Sequence, residues 1–497
     1  MTNLSAPFLI ATLLALPGAA FAAPATGLSI VIKPLSREGK VVALEVSEQL
    51  TGGAPADGAP LRLVAPMAVF GVKSIADKIV DLTVSDASGP VPLTIETDPK
   101  PAGYDRAYRH WQAARPTVFP VSVRYRIATQ PTDEANGPPA GMKASGKGVA
   151  GLGLGFLLLP ENTTSGATAV SWDLSELPAG SVGAITFGSG AAIVPGPPSE
   201  VTGQWMLAGP ARVFKSTRTP GFEFYVLGDP PFDVDATVDW ADRSYAYLAK
   251  SLKYLGTPEY RMFLRTLDVP GFATGSARPE GGGALLTVGD TLGKQPMSHF
   301  KNTIFHEMSH QWVGDLSGAG AWFVEGLTTY LSAVLPCEAG LEPAQFCADG
   351  INRWTANYYG GVARNWSLAK IEETAGGELI RTLPYARGML YFGLVNTQLQ
   401  AKSKGRKNLL DVLAPMFVAR ASGVRLDEAA WEAMLLRELG QPAVAEFRAS
   451  VMEGTTTIVP PSNAFGPCLT RVKVNVAVHE STQKTDGYEW RPKRCGK

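Results

Sequence analysis

The most informative part of the chain is residues Phe305–Leu331, FHEMSHQWVGDLSGAGAWFVEGLTTYL. Within it, His306 and His310 are four residues apart in an H-E-x-x-H motif. Because residues i and i+4 lie on one face of a helix, both imidazoles can bind a single Zn²⁺ ion. Glu307 follows the first histidine and can take a proton from a zinc-bound water, whose pKa falls towards ~7. The motif therefore predicts metal-assisted hydrolysis.

A third ligand is available in the same stretch. Catalytic zinc typically has three protein ligands and one open position, and two histidines with a glutamate are a known set. Glu325, in the segment Trp322–Gly326, can complete this set with His306 and His310. The alternative is an ordinary helix with two polar residues on its solvent face. Apolar flanks, and the presence of two of the chain's five histidines in one motif, favour the metal site.

The sequences HEMSHQWVGDL and WFVEGLTTYL resemble the gluzincin peptidases, above all the aminopeptidase N and leukotriene A4 hydrolase family. That family shows HE-aliphatic-x-HQWFGN followed by W-x-x-EG-x-x-x-Y, and the glycyl aminopeptidase family is similar. The resemblance implies a thermolysin-like catalytic domain, one Zn²⁺ per chain and a peptide substrate. Here 14 residues, 311–324, separate His310 from Glu325. This connection is shorter than the family's, and we expect the shortening to fall in Ser317–Gly320.

A second resemblance identifies a candidate for oxyanion stabilisation. The segment Leu383–Gly388, LPYARG, is similar to the family's Y-x-K-G motif, with Arg387 in place of lysine. The resemblance implies that the Tyr385 hydroxyl donates a hydrogen bond to the developing oxyanion, which stabilises the transition state selectively. The alternative is a core tyrosine at the start of a helix. Weaker candidates for the same role are Tyr358, Tyr359 and Tyr391.

Recognition of the substrate's amino terminus depends on Glu280. In the aminopeptidase N family, a G-A-M-E-N segment lies along the substrate, and its glutamate binds the free α-amine. The corresponding stretch here, Asp268–Val288, does not match residue for residue, and Glu280 is the nearest acidic candidate for substrate binding. Alternatively, Glu280 is a solvated turn residue. An endopeptidase therefore remains an alternative to an aminopeptidase.

Residues 1–22 read as a secretory signal peptide. An apolar run, Phe8–Phe21, ends in the small-x-small pattern Ala20–Ala22, and it is too short for a membrane span. No lysine or arginine precedes the run, so an uncleaved anchor is the alternative. Export to the periplasm or the extracellular space fits the four cysteines, whose simplest pairing is Cys337 with Cys347 and Cys468 with Cys495.

The composition excludes some partners, and predicted strands followed by predicted helices suggest an α+β multidomain chain. The net charge is zero, so we expect no nucleic-acid partner. No segment after the signal peptide reaches the ~18 apolar residues of a membrane helix, and the oligomeric state is open. Alternating apolar and polar residues predict an N-terminal antiparallel β domain over residues 23–215. Residues 216–455 then form the zinc peptidase domain, and residues 456–497 form a tail with a disulfide.

The sequence thus predicts an exported zinc metallopeptidase, in particular an aminopeptidase. Its metal ligands are His306, His310 and Glu325, and Glu307 and Tyr385 are catalytic. Besides an endopeptidase, two readings stay open. A non-catalytic zinc-containing binding protein would use the metal to order its fold, and a hydrolase of non-peptide esters or epoxides would use the same zinc chemistry.

Overall fold

The computed structural model describes residues 27–53, 55, 58–99, 106–133, 138–252, 256–292, 296–318, 320–374 and 377–495. The predicted signal peptide lies outside the described residues. An N-terminal β-rich half is followed by a half in which one sheet packs against helices. The fold is therefore α+β, with several sheets.

The N-terminal half is built from short strands with two different faces. In the strand over residues 121–128 every second side chain is buried, as the apolar–polar alternation predicts. The strands are β1 (Leu28–Arg37), β2 (Lys40–Leu50), β3 (Arg62–Pro66), β4 (Ile79–Asp86), β5 (Gly89–Pro90), β6 (Leu93–Thr97), β7 (Tyr108–Ala113), β8 (Val121–Ala128), β9 (Lys143–Ser145), β10 (Gly148–Leu152), β11 (Leu159–Pro160), β12 (Ala167–Trp172), β13 (Val182–Ile185), β14 (Gly188–Ser189), β15 (Ala192–Pro195) and β16 (Trp205–Gly209).

These strands form three sheets around one apolar core. Their orders are β15-β12-β1-β2-β8-β4-β5, β14-β13-β16-β10-β9 and β11-β3-β7-β6. Neighbouring strands are antiparallel, as expected, except that β1 and β12 are parallel. The alternation pattern shows which face of a strand is buried but does not identify its partner, so it could not predict this pair.

The second half begins with a five-stranded mixed sheet. Its strands are β17 (Arg212–Lys215), β18 (Phe222–Leu227), β19 (Tyr260–Pro270), β20 (Ala273–Ala277) and β21 (Gly283–Thr291), in the order β17-β18-β19-β21-β20. The helix α1 (Val234–Leu252) connects the parallel strands β18 and β19. The short strand β20 runs antiparallel to β21 at the edge of the sheet. Although β17 precedes the boundary predicted at residue 215, it pairs with β18.

Nine further helices in the described residues complete this half. They are α2 (Met297–Ser309), α3 (Ala321–Glu338), α4 (Ala344–Gly360), α5 (Leu368–Glu373), α6 (Glu378–Arg381), α7 (Leu383–Ser403), α8 (Leu409–Ala421), α9 (Glu428–Glu438) and α10 (Gln441–Phe447). A cluster of buried aromatic rings around Trp322 joins α3, α7, α9 and α10. None of the described helices is long and apolar enough to cross a lipid bilayer.

The C-terminal residues form a hairpin, β22 (Leu469–Ala477) and β23 (Lys484–Pro492). It packs on α4, where the Asn352 side chain donates to the Trp490 carbonyl at 2.8 Å and accepts from its N–H at 2.7 Å. Both predicted disulfides are present: Cys468–Cys495 flanks the hairpin, and Cys337–Cys347 joins α3 to α4.

A buried arginine links the two halves. Arg265, on β19, is 1% exposed and hydrogen-bonds the backbone carbonyls of Gly141 at 2.6 Å, Pro139 at 3.2 Å and Ala150. No carboxylate pairs with it among the described residues, and burial lowers the pKa of its guanidinium to about 9. The five-stranded sheet is thus tied to the N-terminal half through main-chain acceptors.

Candidate metal centre and active site

The helix α2 presents both histidines of the H-E-x-x-H motif to α3. The apolar residues of α2 are packed in the core, Glu307 is buried with them, His306 is half-buried, and His310 directly follows the last residue of the helix. The Nε2 atom of His306 lies 3.1 Å from Oε2 of Glu325, and the Nε2 atom of His310 lies 3.6 Å from the same oxygen. The structure thus brings the three predicted ligands together.

The arrangement fits a zinc ion. One ligand atom from each of His306, His310 and Glu325 lies within 4.8 Å of the others. In a tetrahedral site with ligands at ~2.0–2.2 Å, ligand atoms are separated by about 3.4 Å. The observed separations are close to this value, and two imidazoles with one carboxylate are a donor set that zinc accepts. These three residues could therefore hold the metal.

The short connection between the histidines and Glu325 is closed by glycines. Gly318 and Gly320 have φ angles of +77° and +68°, which residues with side chains rarely adopt. Gly320 immediately precedes α3, and the N–H of Ser317 donates to the carbonyl of Leu426 at 2.8 Å. The loop is anchored at its middle, so α3 starts early enough for Glu325 to reach the histidines.

The charged side chains of the centre change one another's pKa. Burial alone would raise the pKa of Glu325, but the imidazoles of His310 and His306 outweigh it and hold the pKa of that carboxyl well below its usual range. Burial alone would lower the pKa of His310, but the carboxylates of Glu325 and Glu307 raise it. The site therefore favours an ionised carboxylate at Glu325, as a metal ligand requires.

Glu307 lies against the edge strand of the sheet. Its carboxylate accepts a hydrogen bond from the N–H of Ala277 on β20, and burial raises its pKa more than the imidazoles of His306 and His310 lower it. The hydroxyl of Tyr260 donates to the main-chain carbonyl of Glu307 at 3.0 Å. A methyl group on Gly275 would lie 2.7 Å from Cγ of Glu307. The small residues of β20 therefore make room for this side chain and fix it.

Tyr385 lies beside the candidate ligands. Its ring is nearly parallel to that of His306, with centroids 6.1 Å apart and an interplanar angle of 10°. Burial, the negative charges of Glu325 and Glu307, and a hydrogen bond to Glu325 raise its pKa. The phenol therefore stays protonated at neutral pH and can donate a hydrogen bond.

The three weaker tyrosine candidates are buried and hydrogen-bonded within the core. The Tyr358 hydroxyl accepts from the N–H of Ile458 at 3.0 Å, and the Tyr359 hydroxyl donates to the carbonyl of the same residue at 3.0 Å. Tyr391 lies 3.4 Å from the indole nitrogen of Trp431. Of the four tyrosines, Tyr385 is the one whose ring packs on a candidate metal ligand.

Glu280 lies in the turn that follows the edge strand β20, and its carboxylate already has a partner. Its Oε1 accepts a hydrogen bond from Nη2 of Arg420 at 2.7 Å, and its N–H donates to the carbonyl of His310 at 2.9 Å. The same guanidinium reaches the carbonyl of Trp312 at 3.3 Å. Glu280 is thus close to the centre, and its role in substrate binding stays a prediction.

Threonines of α3 surround the first histidine. Asp315, five residues after His310, and Thr328 and Thr329 of α3 are polar residues close enough in the chain to the candidate ligands to orient them. The hydroxyl of Thr329 lies 3.5 Å from Nδ1 of His306, and that of Thr328 lies 3.4 Å from Nε2. In the described part of the chain Asp315 forms no hydrogen bond to either histidine. Thr329 is therefore placed to orient the ring, as partners of metal-binding histidines do.

Sequence reasoning missed two residues of the site. Trp354 stacks on Tyr385 with ring centroids 5.6 Å apart, and Arg420 pairs with Glu280. Neither belongs to a motif, and both come from helices distant in sequence. For this part of the site the sequence does contain one signal. The short run of small residues at Ala273–Ala277 indicates an edge strand that packs closely against its neighbours.

Comparison with known proteins confirms the fold. No family model matches the chain, and no curated protein matches its sequence. Among solved structures, an aminopeptidase N family protein from Idiomarina loihiensis is 13% identical, with a TM-score of 0.72 over 90% of this chain and 79% of that one.

Two further structures share the fold more distantly. A mutant M1 zinc metallopeptidase from Deinococcus radiodurans, bound to a Tyr-Ser-Ala substrate, is 18% identical, with a TM-score of 0.51 over 88% of this chain and 95% of that one. Yeast LTA4 hydrolase is 13% identical, with a TM-score of 0.50 over 87% and 68%. The resemblance seen in two short motifs thus extends to the fold of most of the chain.

Proposed function

We propose that this chain is a zinc-dependent metallopeptidase, in particular an aminopeptidase. The observation that carries the proposal is the convergence of His306, His310 and Glu325 with Glu307 and Tyr385 around one point. A zinc ion that only ordered the fold would need neither a buried glutamate beside it nor a phenol donor. The fold shared with zinc peptidases supports the same conclusion.

Each side chain has one task in this proposal. Zinc, held by the three ligands, supplies a Lewis acid and lowers the pKa of the attacking water. Glu307, fixed by the N–H of Ala277, takes the proton from that water and passes it to the leaving amine.

Tyr385 acts on the transition state. Because its pKa is raised, its hydroxyl keeps its proton and can donate to the oxyanion that forms as the peptide carbonyl is attacked. The substrate carbonyl carries less negative charge than the transition state. This hydrogen bond should therefore affect kcat more than KM.

Two cleavage positions are candidates: the N-terminal peptide bond, cut by an aminopeptidase, and an internal peptide bond, cut by an endopeptidase. The aminopeptidase proposal uses Glu280 as the partner of the substrate's α-amine, and it is supported by the fold shared with an aminopeptidase N family protein. The endopeptidase alternative is favoured by one observation. The Glu280 carboxylate is already paired with Arg420, so an incoming ammonium would have to compete with a guanidinium.

The test compares matched peptides that differ only in a free or acetylated N-terminus. We expect the zinc-loaded protein to cleave the free peptide, and Glu307→Gln to lose turnover while keeping one zinc per chain. Cleavage of both peptides at equal rates would identify an endopeptidase. If the protein binds zinc but cleaves neither peptide, and if Glu307→Gln does not change the binding of a partner, the result would support the binding-protein alternative. Turnover of esters or epoxides alone would support a non-peptide hydrolase.

We also propose that the chain is exported. The two disulfides support this, because disulfides persist mainly in oxidising compartments. The expected cleavage follows Ala22, so the mass of the secreted protein should correspond to a chain that starts at Ala23. A protein that stays in the cell with its first 22 residues attached would contradict this proposal.

A further inference from the structure

A stack of three rings leads away from the metal centre. His306 packs on Tyr385, and Tyr385 packs on Trp354 with an interplanar angle of 13° and centroids 5.6 Å apart. Both separations fall in the ~4.5–7 Å range of favourable aromatic pairs. The Arg353 guanidinium lies 5.1 Å from the centre of the Trp354 ring, which adds a cation–π contact. Tyr385 therefore has two nearly parallel rings as neighbours, one from α2 and one from α4.

We propose that Trp354 is a positioning residue, which holds the phenol ring of Tyr385 against His306 and so aims its hydroxyl at the reacting carbonyl. The proposal rests on the proposed function, because it assigns Trp354 a part in the same reaction. Trp354 acts through Tyr385 and has no role of its own in proton transfer.

The direction of the Tyr385 ring needs such support. The hydroxyl oxygen of a tyrosine lies far from the Cα–Cβ bond, so a small rotation about that bond moves the oxygen sideways, whereas rotation about the Cβ–Cγ bond leaves it in place. Misplacing a catalytic group by ~1 Å can cost on the order of a hundredfold in rate. Among the described residues, His306 and Trp354 are the aromatic rings that pack near Tyr385, and together they restrict the direction of its side chain.

The helix that carries Trp354 is itself fixed at two points. The disulfide from Cys347 joins α4 to α3, which provides Glu325. Asn352, two residues before Trp354, forms paired hydrogen bonds with the main chain of Trp490 in the C-terminal hairpin. Trp354 is therefore a rigid support, and its position relative to the metal ligands is set by covalent and main-chain contacts.

The chemistry of the indole indicates that stacking, not hydrogen bonding, is its contribution. The Nε1 of Trp354 is buried and finds no hydrogen-bond partner in the part of the chain that the structure describes. A buried donor without a partner costs stability. Phenylalanine would avoid that cost and keep a smaller aromatic face, so Trp354→Phe should preserve most of the effect on Tyr385.

The experiment uses the zinc-loaded full chain. The variants are Trp354→Ala, Trp354→Phe, Tyr385→Phe and the double variant Trp354→Ala/Tyr385→Phe. The matched control is Trp366→Ala, another partly buried tryptophan of the same core that does not contact Tyr385 in the structure. The readouts are kcat and KM on the free peptide, zinc content, thermal midpoint, and ¹⁹F NMR of 3-fluorotyrosine at position 385.

We expect Trp354→Ala to lower kcat by roughly tenfold to a hundredfold with KM and zinc content unchanged. Trp354→Phe should restore most of kcat, and Trp366→Ala should keep it. In the Tyr385→Phe background, Trp354→Ala should cost little more, because coupled residues are not additive. An equal loss in both backgrounds, or a loss shared by Trp366→Ala, would overturn the proposal.

The fluorine signal separates this proposal from the proposed function. If the wild-type protein cleaves no peptide, the proposed function fails, but the ring stack is still tested. A ¹⁹F resonance that shifts in Trp354→Ala and not in Trp366→Ala supports a positioning contact. A resonance that is the same in all three proteins shows that Trp354 does not fix the Tyr385 ring, and it overturns the inference even if peptides are hydrolysed.

Discussion

Gly326 on α3 and Gly388 on α7 lie against each other where the two helices cross. A methyl group on Gly326 would lie 2.6 Å from Cα of Gly388. Gly326 directly follows Glu325, and Gly388 is three residues after Tyr385. The close crossing therefore brings a candidate metal ligand of one helix, Glu325, next to the phenol of the other, Tyr385.

Gly388→Ala should separate the two helices. The new methyl group would overlap the carbonyl of Trp322 and lie 2.7 Å from Cα of Gly326. Backbone cannot move aside as easily as a side chain, so we expect a loss of about 1–3 kcal/mol of stability and a lower kcat. Thermal midpoint and kcat check this. Gly377→Ala is the control, because its methyl group would meet nothing within 4 Å. Equal midpoints for the two variants would contradict the prediction.

Gly275→Ala should affect catalysis without affecting the fold. Its methyl group would lie 2.7 Å from Cγ and 2.9 Å from Oε1 of Glu307, so the carboxylate must move. Because the displaced atoms belong to a flexible side chain, the thermal midpoint should change little. We expect kcat to fall roughly tenfold to a hundredfold with zinc fully bound. Steady-state kinetics with metal analysis measures this, and an unchanged kcat would show that Glu307 is not the base in its observed position.

Arg420 should control how well Glu280 recognises an amine. Removing the guanidinium with Arg420→Met frees the Glu280 carboxylate, which then attracts a substrate ammonium without competition. The preference for free over acetylated peptides, expressed as a ratio of kcat/KM, should rise by roughly tenfold, which corresponds to about 1.4 kcal/mol. Glu280→Gln should lower the same ratio. If neither variant changes the ratio, Glu280 only holds the edge strand in place.

Glu48 should make the N-terminal half less stable as pH rises. It is 2% exposed, its carboxylate oxygens have no hydrogen-bond partner among the described residues, and burial raises its pKa well above the usual value. Below the pKa of the unfolded chain, near 4.5, both states are protonated and the group has no effect. Above it the unfolded chain ionises first, so stability falls by up to about 1.4 kcal/mol per pH unit.

The variant Glu48→Gln removes this titration and keeps the shape of the side chain. The difference in thermal midpoint, Glu48→Gln minus wild type, should therefore increase from pH 5 to pH 8. Over this range the carboxyl of the unfolded chain is ionised. Thermal melts at several pH values measure the difference. A difference that does not depend on pH would mean that Glu48 is ionised in the folded protein.

The sequence predicts those parts of the candidate site whose geometry depends on residues close together in the chain. His306 and His310 could be paired because helical spacing alone places them on one face. Glu325 was identified because catalytic zinc typically has a third protein ligand, and Tyr385 was identified by resemblance, since the spacing of these two residues to the histidines follows no simple periodicity. Trp354 could not be found, because its contact with Tyr385 depends on how α4 packs against α7. The pairing of Glu280 with Arg420 joins residues 140 positions apart and is likewise a property of the packed structure.

The same division applies to the fold. The buried and exposed faces of β8 were predictable from the alternation along its sequence. The parallel pairing of β1 with β12, and the pairing of β17 with β18 in the five-stranded sheet, could not be predicted in this way. These contacts are decided by which edges remain free after the local strands have paired, which no window of sequence contains.

Arg265 has a consequence for the response of the protein to ionic strength. The exposed pair Arg278–Glu200, which also joins the two halves, is separated by 2.8 Å and should weaken as salt screens it. The contacts of Arg265 are buried and end on neutral carbonyls, so dissolved ions neither reach them nor compete for their acceptors. The two halves should therefore unfold together in low and in high salt. A second calorimetric transition that appears only in high salt would show that exposed charges hold them together.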